Sequence, residues 1–529
     1  MIWLLRDFDL LGTLLRAANL AFEALLLGGV IFLLAVARPA RASAPVKSSS
    51  FRGLTWAALS LAASELLTVV LSSASLLGAS DLHFRDLLSA RFFIAGLIAA
   101  LLSMLIWFCA RRQGTSALLP LSLLLLIATV STSHAAARMD HRLLLGVATA
   151  LHHVGTAAWI GAMPFLLVAL ARAESLTEAR IMATRYSQMA LISVVVLVLA
   201  GIYMSWLYVG SWNGLYGTSY GVFLLAKIYL LLVMLFMGAG NWLLVRRLET
   251  DAQPLLLRLR RFAEAELGLG FTVILAAASM SSQPPAVDVS DRVSLMQIEA
   301  RMHPEVPRMS SPKASQLTPP TSIETAVREN EFQANGGGDA TDRKWSEYNH
   351  HWAGLIVFLA GLLAFASRFW SLRWARFWPL AFAGLSVFIL LRADPENWPL
   401  GPRPFWASFS APDVLAHRAA ALLILCFAVF ECAVQANQLR ARWTALIFPA
   451  MCAVGAAVLL THSHASGDSG EELLASLSHT SIALLGATAG WTRWLELRLP
   501  SGRTAKLAGM AWPLLLSAAG LILLNYRET

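Results

Sequence analysis

Apolar residues recur along this chain in runs that are long enough to cross a lipid bilayer. A helix needs about 20 apolar residues to cross roughly 30 Å of hydrocarbon. Fourteen runs approach or exceed this length, near 8–36, 53–78, 92–110, 117–134, 143–171, 187–209, 218–245, 262–282, 351–369, 375–392, 412–436, 443–461, 472–495 and 507–525. The pattern therefore predicts an all-α polytopic membrane protein with about fourteen transmembrane helices.

The longest break in this pattern divides the predicted helices into eight and six. It is rich in Pro, Ser and Gly, including Pro319, Pro320 and the glycines at 336–338. Such a composition buries too little apolar surface to fold alone. We therefore expect three parts: an eight-helix module over 1–285, an external and largely disordered linker over 286–345, and a six-helix module over 346–529.

The positions of Lys and Arg predict the orientation of the helices. In the first module, alternate loops carry fourteen of these residues on one side, and five on the side that includes the N-terminus. The loops of the second module are biased in the same way. Because short cytoplasmic loops collect basic residues, both termini are predicted to be external.

The composition supports this interpretation and excludes several classes of protein. Of the 529 residues, 57% are hydrophobic and only 14% are charged, which is unlike a soluble enzyme, a disordered protein or a disulfide scaffold. The basic cytoplasmic loops account for the net charge of +9, so we expect the lipid bilayer and no nucleic acid as a partner. The four cysteines form no CxxC motif and are predicted to be buried thiols.

Histidines supply the candidate chemistry of the first module. On the predicted topology, all twelve histidines of the chain lie in external loops or in the outer halves of spans. The candidate metal ligands in this module are His134, Met139, His141, His152 and His153. Imidazole suits copper and zinc, and a thioether favours Cu(I). We expect His134 and His152 to form the core of an external metal site, although each histidine could instead bond only to loop carbonyls.

A second histidine group is predicted in the six-helix module. Its members are His417, His462, His464 and His479, at the external ends of spans 11, 12 and 13. Because short loops keep consecutive antiparallel spans together, we expect one shared site, with Glu471 or Glu472 as an oxygen ligand. The alternative is a polar external rim without a metal.

Ionisable residues inside the spans predict a transport path. Glu23, Glu65 and Lys227 lie within apolar spans, where charges are costly and often functional. Mutual neutralisation is the alternative, since Arg16 could pair with Glu23 or Glu65. Solvated or capping groups are predicted at the cytoplasmic edge, at Asn241, Glu264 and Glu266.

Four motifs follow one another in the second half of the first module. They are Ser133-His134-Ala135 in span 4, Leu151-His152 before Trp159-Ile160-Gly161 in span 5, Tyr220-Gly221 with Leu224, Lys227, Asn241 and Arg246 in span 7, and Glu266 before Pro284-Pro285. In order and spacing they resemble the copper resistance protein D (CopD) family of inner-membrane copper transporters, over about residues 120–285. Two positions depart from the family pattern, namely His153 and Met163.

The resemblance implies copper transport or handling at a bacterial inner membrane. The ion, Cu(I) or Cu(II), would be taken from the external (periplasmic) face and passed inward, with a periplasmic copper-binding protein as a partner. One alternative is a haem-binding electron-transfer protein in which His152 pairs with His417 or His479. Another is a copper sensor or assembly chaperone that does not transport. The sequence holds no hydrolase or redox-enzyme motif, so we expect no enzyme.

Overall fold

The computed structural model describes residues 8–79, 83–246, 252–312, 340–369, 373–395, 397–408, 412–441, 443–461 and 469–527. The regular elements in these ranges are helices, and one isolated β-bridge joins Asn397 to Arg403. Twelve of the described helical segments are long and apolar enough to cross a membrane. The predicted all-α polytopic membrane protein is thereby confirmed.

The described part of the chain gives twelve such segments where the sequence predicts fourteen. The predicted fourth span is a helix of only 13 residues, Leu118–Val130. It ends early because the hydroxyls of Ser131, Thr132 and Ser133 each donate back to a backbone carbonyl three residues before them. The predicted thirteenth span lies in the 30-residue helix Ser469–Arg498, which is not among the twelve.

The first compact unit comprises Met1–Leu215 and Phe223–Ser290. Its main helices are α1 (Phe8–Ile31), α2 (Ala44–Ala79), α3 (Arg91–Arg111), α4 (Leu118–Val130), α5 (Arg142–Thr156), α6 (Met163–Arg172), α7 (Leu176–Val209), α8 (Ser219–Arg246) and α9 (Ala252–Ser282). The first four residues of α8 fall in the second unit. A π-helical segment, Ala157–Gly161, joins α5 to α6.

Glycines let α1 touch this π-helical segment backbone to backbone. A Cβ on Gly161 would lie 1.8 Å from the carbonyl oxygen of Ala24, and a Cβ on Gly28 would lie 2.3 Å from the carbonyl carbon of Gly161. Small residues commonly allow such close helix contacts in membranes. Glu23, one residue before Ala24, is thereby held beside α5.

The second compact unit comprises Tyr216–Val222 and Asp291–Thr529. Its main helices are α10 (Leu295–Met302), α11 (Ala340–Phe369), α12 (Leu380–Arg392), α13 (Pro412–Gln435), α14 (Ile447–Thr461), α15 (Ser469–Arg498) and α16 (Arg503–Leu524). Trp378, Phe427, Phe448 and Trp512 form an aromatic core among these helices. The predicted linker is described over 286–312, which includes α10, and over 340–345, where α11 begins, so its boundaries and disorder stay predictions.

Candidate functional site

A buried carboxylate lies at the centre of the polar interior of the first unit. Glu23 on α1 is only 4% exposed. Its Oε1 accepts hydrogen bonds from the Thr129 hydroxyl at 2.8 Å and from Nδ1 of His153 at 3.2 Å. Because a carboxylate only accepts, the hydrogen lies on Nδ1, and in the neutral form of the ring Nε2 carries the lone pair. This carboxylate–histidine pairing is typical of metal-ligating histidines.

His152 faces the opposite neighbour of α5. Its Nδ1 donates to the Leu197 carbonyl on α7 at 3.3 Å, which leaves the lone pair of the neutral ring on Nε2. Gly201 on α7 lies beside this ring, since a Cβ there would lie 3.6 Å from Cε1 of His152, an ordinary van der Waals distance. One turn earlier on α5, the Thr149 hydroxyl lies 4.0 Å from Sδ of Met204. The α5–α7 contact therefore combines an imidazole with a nearby thioether that sequence reasoning missed.

The charged residues of the predicted transport path interact with these two histidines or with Glu23. Lys227 on α8 interacts electrostatically with both imidazoles. Glu65 on α2 interacts electrostatically with Glu23, and its Oε2 would lie 3.8 Å from a Cβ on Gly96. The region holds two carboxylates and one ammonium group around His152 and His153.

His134 lies at a different depth of the unit, beside the C-terminal end of α9. We call each depth at which such polar residues gather a level. Its Nε2 donates to the Ser281 carbonyl at 3.1 Å, and its ring meets the edge of Tyr208. Burial lowers the pKa of His134 below its usual value of 6.5 and so favours the neutral ring. Since the carbonyl accepts the Nε2 hydrogen, Nδ1 carries the lone pair.

The two levels are separated along α1. Arg16 donates to the same Ser281 carbonyl as His134, whereas Glu23 engages His153, so the suggested Arg16–Glu23 pair is not formed. Seven residues of α-helix correspond to about 10 Å of rise. Within the described ranges, no group of three or more His, Cys, Asp or Glu is placed to hold a metal ion. The histidines therefore offer successive partial sites rather than one closed site.

Glu266 forms a third level that the sequence interpretation misplaced. It is 3% exposed on α9, and its two oxygens accept hydrogen bonds at 2.7 Å from Nε1 of Trp159 and from Nδ2 of Asn241. The prediction of solvated or capping groups is wrong for Glu266, because its partners come from two other segments of the unit and enclose it. Fifteen residues separate it from Ser281 on α9, or about 22 Å of helix rise.

The remaining candidates of the first module lie in the loop before α5. Met139 is 91% exposed, and His141 is also exposed, with a positive φ of 55° immediately before α5. Across the described residues, neither has a polar contact with His134 or His152. The structure therefore leaves the core of the candidate site to His134, His152 and His153.

In the second unit, the predicted histidine cluster is described only in part. Nδ1 of His417 pairs with Oδ1 of Asp394 at 2.9 Å. The ring of His479 meets Tyr526 edge-on, with centroids 6.1 Å apart. His462, His464 and the side chains of Glu471 and Glu472 lie outside the described residues, so the shared site stays a prediction.

Two other histidines of this unit also meet Tyr526. His350 stacks on its ring with centroids 4.1 Å apart. His351 is 4% exposed, and both of its ring nitrogens are used: Nδ1 accepts from the Arg308 backbone at 2.7 Å and Nε2 donates to the Tyr526 carbonyl at 2.8 Å. His351 thus has no lone pair left for a metal.

A comparison with known proteins finds a family match in α7, α8 and α9, which contribute residues to this site. Residues 180–280, which hold Met204, Lys227, Asn241 and Glu266, match the family model described as copper resistance protein D. The likeness to that family is shown for this segment of the chain. The motifs around His134 and His152 precede the matched residues.

One curated relative extends the comparison. The chain is 29% identical to the copper transport protein CutJ of Bacillus subtilis (strain 168) over 163 residues. The matched part covers 30% of this chain and 29% of the length of that relative. No solved structure matches the chain.

Proposed function

We propose that the first unit transports copper across the membrane along the three levels defined by His134, by His152 with His153, and by Glu266. The match to the copper resistance protein D family and the name of the relative support copper as the ion. One observation carries the proposal: each of the three histidines donates one ring nitrogen to an oxygen and keeps the other for a ligand. Metal-ligating histidines commonly have this arrangement.

Incomplete sites suit an ion that moves. A closed set of three or four ligands would hold copper tightly, whereas sites of one or two ligands let the ion exchange from one level to the next. The Met204 thioether contacts Thr149, one helical turn from His152 on α5, and such a soft sulfur ligand favours Cu(I). A transporter of this kind is not an enzyme, and copper is its substrate rather than a resident cofactor.

The charges at the middle level fit an ion that comes and goes. Glu23 and Glu65 interact electrostatically, and two like charges inside the membrane are costly. A copper cation beside His153 would offset this negative charge while it is bound.

The basic loops give the proposed direction. Their positions predict that the His134 level lies near the external face. In the proposed direction, copper enters there from a periplasmic copper-binding protein and leaves past Glu266 at the cytoplasmic side of a bacterial inner membrane. Because the first level has a single histidine, copper bound there keeps coordination positions open for a ligand from the periplasmic copper-binding protein.

Copper accumulation in cells tests the proposal. We expect His152→Ala and His153→Ala to reduce accumulation to the level of cells without the gene, with unchanged amounts of protein in the membrane. His83→Ala is the matched control, because His83 is exposed in a loop of the same unit and should leave accumulation intact. Normal accumulation in both site variants would refute the path. Metal analysis and absorption of the purified protein complete the test, since a Soret band would instead indicate haem.

A further inference from the structure

A groove lies between α2 and α3, away from the histidine levels. It has a volume of about 380 Å³, and its lining includes Phe51, Arg52, Trp56, Leu59, Trp107 and Arg111. The two helices are antiparallel, so the first turns of α2 meet the last turn of α3 at one end of the unit. We call this feature the Arg52–Arg111 groove.

The basic residues of this groove have no acidic counterpart of their own. The Arg111 guanidinium lies 5.4 Å from the centre of the Trp107 ring, and Arg52 donates weakly to Ser49 at 3.4 Å. In the described part of the chain neither arginine forms an ion pair. The segments 24–64 and 87–139, which contain both lining helices at this end, hold no Asp or Glu. The groove therefore presents two uncompensated positive charges.

Two apolar residues of the lining face outward. Trp56 is 70% exposed and Leu59 is 38% exposed, although both lie on a helix that crosses the membrane. Tryptophan is enriched where hydrocarbon meets the headgroups, and α3, with 21 residues, spans the hydrocarbon and ends at Arg111. The arginines thus lie at headgroup depth, with an apolar surface continuing toward the acyl chains.

We propose that the Arg52–Arg111 groove binds one anionic phospholipid of the cytoplasmic leaflet. The lipid phosphate lies between the two guanidinium groups, and an acyl chain follows Trp56 and Leu59. Guanidinium groups bind phosphate oxygens through paired N–H donors, and basic pockets between membrane helices on the cytoplasmic side commonly take anionic headgroups. The volume suits a small ligand, since such sites span roughly 300–1,000 Å³. A soluble anion would leave the exposed Trp56 surface unused.

Lipid retention by the purified full chain tests this site. The protein is exchanged into detergent with equal amounts of phosphatidylglycerol and phosphatidylcholine, and the retained lipid is counted by native mass spectrometry. We expect the wild type to keep one phosphatidylglycerol at least fivefold more often than phosphatidylcholine. R52Q/R111Q should lose this preference, whereas R52K/R111K, which keeps both charges, should retain most of it.

A matched control removes the same charge elsewhere. R38Q/R41Q changes two exposed basic residues outside the groove and should retain phosphatidylglycerol like the wild type. If R52Q/R111Q does not fold, the single variants R52Q and R111Q should each lower retention at least threefold. The proposal is overturned if the wild type shows no preference, if R38Q/R41Q loses it equally, or if glycerol phosphate alone raises the melting temperature as much as the lipid does.

Discussion

Replacing Glu23 by Gln tests how the carboxylate on α1 supports His153. Gln is nearly the same size, and its side-chain oxygen can still accept from the Thr129 hydroxyl and from Nδ1 of His153. What is lost is the negative charge that raises the basicity of the imidazole and offsets the ion. Loss of such a supporting group typically lowers metal affinity tenfold to a hundredfold, or about 1.4–2.7 kcal/mol of binding free energy. We expect a loss in this range.

The assay is competition for Cu(I) between the purified protein and a chelator of known affinity. Thr129→Val is the matched control, because it removes the other hydrogen bond to the same carboxylate but keeps the charge and the contact to His153. We expect less than a threefold change for this variant. A dissociation constant for Glu23→Gln within twofold of the wild type would refute the supporting role of Glu23.

Three further outcomes are expected. Glu266→Gln keeps one side-chain oxygen as an acceptor and loses the other together with the negative charge. Copper accumulation should therefore fall at least tenfold, while the melting temperature drops by only a few degrees. An unchanged accumulation would exclude a role of Glu266 in transport. Gly161→Ala should abolish folded protein in size-exclusion chromatography because its Cβ meets the Ala24 carbonyl at 1.8 Å, whereas Gly146→Ala, with nothing within 4 Å, should fold normally. Because burial lowers the pKa of His134 below 6.5, its ring is mostly neutral at pH 6.5, and the midpoint for loss of copper binding should lie at a more acidic pH; a midpoint above pH 6.5 in a binding titration would contradict this.

Most of the membrane helices could be predicted because bilayer thickness dictates the length of an apolar run. The same reasoning overestimated the fourth span, since hydropathy does not register that Ser131 and its neighbours turn their hydroxyls back on the helix. The free-energy cost of polar side chains inside a membrane drew attention to His152 and His153, and the structure has both within a helix that is long and apolar enough to span it. This cost could not assign their partners, because adjacent helical residues point about 100° apart and face different neighbours.

Glu266 shows why part of the site was beyond prediction. Its closeness in sequence to Arg258, Arg260 and Arg261 suggested a solvated edge. Its burial depends on Trp159, which lies 107 residues earlier, and on Asn241 of a different helix. Periodicity along one helix cannot reveal which distant donors enclose a carboxylate. His351 is a similar case, since its two partners lie 43 and 175 residues away.

The π-helical segment between α5 and α6 has a consequence for the histidines before it. A π-bulge accommodates one residue more than the α-helix does over the same stretch. If Ala157–Gly161 straightened into α-helix while α6 stayed fixed, α5 would turn by about 100° and every residue before the bulge would step back by one position. His153 would then leave Glu23 and take the present place of His152, beside Leu197. An ion bound to that imidazole would move around the axis of α5 together with the histidine, without dissociating from it.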